Sequence, residues 1–239
     1  MILSSIIALS AWPMNYFSAP VAYLICIVTR LLYFVGFLYY LSRTRNINYW
    51  KLLIKRPKKK DLLLLPLIII CFSNILTLPF SNYYYVGFKS GTLLLILTLT
   101  NLFLGVLVEE TVFRFFMFDY FNLKEDAPHV ILLISLLFGS IHLVNMNLRN
   151  PLPTLVQVVY STTLGFILGV SYVHSWNLIY PIILHLCFNL INSFVYSLFV
   201  SDIGMWPYYL INIAVGLIVV LYTALIYYLP RRKNRESYY

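Results

Sequence analysis

Three ionisable side chains fall within six residues, Glu109, Glu110 and Arg114, directly after the mainly apolar run 92–108. A charged group at the centre of a bilayer costs from about 3 to over 10 kcal/mol, so such groups rarely persist in a span without a task. Glu110 and Arg114 are spaced i,i+4, which puts them on one helical face where they can form an ion pair. Glu109 lies about 100° further round and is expected to face a different neighbour. Two later apolar runs carry His142, and His185 with Asn189. His185 and Asn189 repeat the i,i+4 spacing, as do Phe138 and His142, so the Phe138 ring could wall one side of the second imidazole. A glutamate can take a proton from water. One histidine can orient that water, or both histidines with a carboxylate can hold a divalent metal such as zinc. A histidine and an asparagine amide can donate to a developing oxyanion. Together these groups suit hydrolysis of an amide bond, and no well-placed Asp offers a Ser-His-Asp arrangement instead.

The elements that must hold these groups are membrane helices. The 239-residue chain is 61% hydrophobic and 10% charged, with mean hydropathy +0.83. A soluble domain is about 45–50% apolar and about 25% charged, so composition predicts an all-α, polytopic membrane bundle. Spans of about 20 apolar residues are expected near 20–42, 61–80, 92–121, 130–148, 154–174, 178–200 and 207–229. Residues 1–12 are apolar but short and precede Pro13, which leaves about seven or eight transmembrane helices in a single domain, 1–239. No basic region precedes the first apolar stretch, so no cleavable signal is expected. Cys26, Cys71 and Cys187 sit in apolar runs at unrelated spacings, which predicts core thiols without a disulfide.

Eight of the 17 basic residues lie in 43–60, and Arg231, Arg232, Lys233 and Arg235 lie in the tail. Six crossings between these segments would put both on one side, and the positive-inside rule makes that side cytoplasmic. The net charge of +9 therefore reads as topology and affinity for anionic lipid, with no nucleic acid as partner. At 1.5 Å per residue, Glu109, His142 and His185 are expected between mid-membrane and the cytoplasmic half, around a cavity open to the cytosol. His129 and His174 read as interfacial, and Asn145, Asn147 and Asn192 as capping or interhelical polar residues.

Glu109-Glu110-Thr-Val-Phe-Arg114 resembles the EExxxR motif of the CPBP (CAAX protease and bacteriocin-processing, or Abi) intramembrane proteases. Phe138-Gly-Ser-Ile-His142 is similar to the family's FxxxH motif, and His185-Leu-Cys-Phe-Asn189 to its HxxxN motif. The resemblance covers about 92–200, the expected catalytic core, with all three motifs in order. It implies an endopeptidase that cleaves a membrane-embedded or lipidated peptide, typically near a C-terminus. By this likeness Glu109 would activate water with help from His142, Glu110 and Arg114 would support it, and His185 with Asn189 would form the oxyanion site. Both a metal-dependent mechanism, with Glu109, His142 and His185 as ligands, and a metal-free one remain open. Richness in Lys, Ile, Asn and Tyr suggests a low-GC bacterium, where the likeness points to peptide maturation, bacteriocin self-immunity, or lipoprotein or signal-peptide processing. Two other readings stand beside the protease: a non-enzymatic bacteriocin-immunity or partner-regulating protein on the same fold, and a transporter relaying protons through the glutamates.

Overall fold

A computed structural model of the chain describes residues 17–44, 56, 58–88, 91–121, 128–146 and 148–236. The segment 1–12 and Asn147 lie outside them. Six helices are long and apolar enough to cross a membrane: α1 (Ala19–Thr44), α2 (Gly91–Tyr120), α3 (Pro128–Asn145), α4 (Leu152–Ser175), α5 (Ile179–Leu198) and α6, whose spanning part is Pro207–Tyr228. The chain is a multi-pass, all-α membrane bundle.

The departure is the expected helix at 61–80. It is wound as two 3-10 segments, Lys59–Phe72 and Ile75–Phe80, with Pro66 inside the first and Pro79 inside the second. Proline lacks the N–H an α-helix needs and clashes with the preceding turn, so each weakens a regular helix here. At about 2.0 Å per residue the tighter winding still covers a bilayer's thickness. It runs beside α5 in register. Lys60 Nζ donates to the His174 carbonyl at 2.7 Å, Asn74 Nδ2 to the Asn192 carbonyl at 2.8 Å, and the Asn82 N–H to Asp202 Oδ1 at 2.8 Å. Contacts in that order mean that 59–82 travels the same distance as α5. The seventh pass is made by a strap that is not an α-helix. Beyond it, β1 (Tyr83–Tyr85) pairs antiparallel with β2 (Phe199–Ser201), Tyr83 opposite Ser201, and clasps that end of the bundle. Arg43 and Lys58–Lys60 mark the other, basic end.

Helices α3 and α4 approach most closely through small residues, the usual way to dock membrane helices where lipid removes the hydrophobic drive. A Cβ on Gly139 would lie 1.9 Å from Thr162 Oγ1 and 2.7 Å from the Val158 carbonyl. The α2–α3–α4 core gathers Val112, Phe113, Ile131, Phe138 and Val170, and a second core joins the strap to α4, α5 and α6 through Leu67, Ile167, Phe188 and Val219. Cys26 and Cys71 are buried and Cys187 is half-buried, and none of the three is in a disulfide among the described residues.

Candidate active site

α4 ends where Trp176 takes a left-handed conformation, φ 51°, its N–H donating to the Tyr172 carbonyl at 2.6 Å. Ser175 and Asn177 satisfy the turn, and α5 begins at Ile179. So short a connection forces α5 back along the bundle, which returns His185 about 9 Å deep. α2 runs the other way and places Glu110 about 15 Å from its basic end.

The two glutamates meet one imidazole. His185 Nδ1 lies 2.6 Å from Glu110 Oε1, and His185 Nε2 lies 3.8 Å from Glu109 Oε2. Glu109 was expected to face a different neighbour from Glu110. Instead a ring wedged against α2 offers one nitrogen to each of two consecutive residues. Arg114 Nε is 3.1 Å from Glu110 Oε2, the expected ion pair, and Arg114 Nη2 donates to the Gly165 carbonyl at 3.3 Å. Glu110 and Arg114 are 0% exposed and His185 3%, whereas the Glu109 side chain is 25% exposed. The buried trio is the support and Glu109 is its accessible edge.

Phe138 is the hub. Its ring meets His142 edge-on at 5.9 Å and His185 at 5.7 Å, and the Arg114 guanidinium lies 4.5 Å from its centroid. The sequence suggests Phe138 as a wall for His142, but nothing in it signals the contacts to His185 and Arg114 or the Gly165 carbonyl. Half-buried His142 joins the group through Phe138, its Nδ1 3.2 Å from the Phe138 carbonyl. Asn189 is half-buried and makes no hydrogen bond among the described residues. His129 is exposed at the start of α3, and His174 meets Lys60 at the basic end. Asn192 bonds Asn74 and Ser73, an interhelical role, and Asn145 reaches Gln157 across the α3–α4 turn.

The helix winding changes at the motifs. Thr111–Phe116 is π-helical immediately after Glu110, Phe188–Val195 is π-helical after His185, and Ile141–Asn145 tightens to 3-10 around His142. Such interruptions often mark functional sites, and each change of winding alters the rotation per residue and so re-aims the side chains.

Among the described residues no three His, Cys, Asp or Glu side chains are gathered as a group that could hold a metal ion. Glu109 and His185 bring two donors near each other, but Glu109, His142 and His185 as placed do not form a three-ligand set.

Residues 91–191 match the profile of the Rce1-like family, described as type II CAAX prenyl endopeptidase Rce1-like. No curated protein and no solved structure matches the chain. The matched stretch holds all three motifs and every contact of the Glu109–Glu110–His185 cluster. This core, under half of the chain, is similar to the Rce1-like type II CAAX prenyl endopeptidases.

Proposed function

We propose that the chain hydrolyses a peptide bond of a membrane-embedded or lipidated peptide with water activated by Glu109. The 3.8 Å gap between Glu109 Oε2 and His185 Nε2 carries this reading, since one water can hydrogen-bond to both. With Nδ1–H donated to Glu110, the other nitrogen of His185 accepts a hydrogen bond from the water while Glu109 takes its other proton. The hydroxide so formed adds to the scissile carbonyl, and protonated Glu109 then returns its proton to the leaving amine. His142 and Asn189, half-buried at the rim, supply donors for the oxyanion. This exchanges the parts that the motif likeness alone gives the two histidines, because His185 is the imidazole beside Glu109. Residues 92–200 form the catalytic core. The positive-inside rule sets the basic end, with 43–60 and the tail, in the cytoplasm.

The test is turnover of a lipidated peptide by purified protein in liposomes. Glu109→Gln keeps the shape and removes the base, so cleavage should fall at least about a hundredfold while the thermal unfolding profile stays unchanged. Dialysis against EDTA should leave cleavage intact. Retained turnover in Glu109→Gln would remove the assigned base, and cells protected against a bacteriocin equally by both forms would support the non-enzymatic immunity reading.

A further inference from the structure

Arg30 is a cation in the middle of α1. It lies about 16 Å from one end of that helix and about 21 Å from the other, beyond easy reach of either headgroup layer. It does not snorkel outward. Its Nη1 donates to both the carbonyl and the side-chain oxygen of Asn101 on α2, the latter at 2.8 Å. The guanidinium rests on Gly105, where a Cβ would come within 2.8 Å of Nη1 and 3.2 Å of Cζ. Glycine there makes the room. Among the described residues no carboxylate pairs with Arg30, although an intramembrane charge normally finds one.

The donor count sharpens the point. Guanidinium has five N–H groups, and its Nε/Nη2 edge is the fork that binds a carboxylate through two parallel bonds. Both Nη1 hydrogens are engaged by Asn101, while Nε and Nη2 make no hydrogen bond among the described residues and are not sealed in the interior. Asn101, Gly105 and Glu109 follow at i, i+4, i+8, so Arg30 sits on the stripe of α2 that bears the proposed base. One turn, about 6 Å, separates Gly105 from Glu109.

We propose that Arg30 binds the C-terminal carboxylate of the peptide substrate and so sets the cleavage position by counting from that terminus. This rests on the proteolytic reading above and names its substrate feature. At about 3.3 Å per extended residue, an anchored carboxylate places a carbonyl some two to four residues upstream beside Glu109. Arg30 lies toward the clasp end from Glu109, so the peptide enters terminus first from the basic end.

The test reads binding, separately from turnover. Glu109→Gln protein in phosphatidylcholine nanodiscs is titrated with a farnesyl-cysteine peptide ending in three aliphatic residues, as free acid and as C-terminal amide. The acid should bind about tenfold or more tighter. Adding Arg30→Gln should bring acid affinity down to that of the amide and leave the amide unchanged, which also reports an intact fold. Gly105→Ala, which displaces the guanidinium without removing charge, should give the same loss. Phosphatidylglycerol in the nanodisc should not erode the acid preference; if it does, Arg30 serves a lipid phosphate and the proposal falls. Equal affinity for acid and amide, equal weakening of both by Arg30→Gln, or no binding of either peptide would also overturn it. Failure of Glu109 as base would appear in turnover, not in this discrimination.

Discussion

The Glu110–Arg114 pair is sealed from water, so each charge depends on the other for compensation. Glu110 serves His185 with one oxygen and Arg114 with the other. Arg114 in turn spends Nη2 on the Gly165 carbonyl and faces the Phe138 ring, while Nη1 finds no acceptor among the described residues. Removing one member of such a pair leaves the other buried and uncompensated, at a cost of about 3–5 kcal/mol. Arg114→Met should therefore lower the thermal midpoint in detergent strongly, and adding Glu110→Gln should recover part of the loss; a double variant no better than the single would show that the charge is not what matters. The motif residues were legible because acid and base groups stand out against apolar sequence. Their partners were not. Glu109 and Glu110 share one imidazole because a ring can present two nitrogens to one helix, and no spacing rule encodes that. Arg30 is a basic residue within an apolar run, but its perch on Gly105 is visible only with α1 and α2 side by side.

Helix register and close approach decide whether the motif residues meet. Gly139 follows the hub residue Phe138 and faces α4 with no room for a methyl group. Gly139→Ala should force α3 and α4 apart at about 1–3 kcal/mol, displace both Phe138 and His142, and lower turnover together with the thermal midpoint. Gly36 on α1 has nothing within 4 Å of its virtual Cβ. Gly36→Ala should be neutral or stabilising by up to about 1 kcal/mol, and loss of activity there would refute the packing argument. Apolar length alone located α1 to α6, with ends close to those expected. It could not show that 59–80 winds as 3-10 segments, since Pro66 and Pro79 are equally at home near the end of a span. Nor could an even 100° per residue show the π turns after Glu110 and at Phe188, where the winding itself changes.

Across the whole molecule, a strap that keeps step with α5 makes seven passes between residues 17 and 228, and seven passes are what the distribution of Lys and Arg requires. Cysteine labelling of intact cells, with single cysteines at positions 50 and 233, should find both sites protected, and reaction of either with an impermeant maleimide would break the orientation. The strap also has a bearing on how the protein is made. Asn74 donates hydrogen bonds to a residue 118 positions downstream, Asn192. On the ribosome its amide must therefore enter lipid long before its partner exists, waiting beside water or an insertion factor. The helix that carries the last motif thus completes the chemistry and, three residues further on at Asn192, closes a polar seam left open from early in synthesis, so a chain that stops short of Asn192 leaves the strap without its partner.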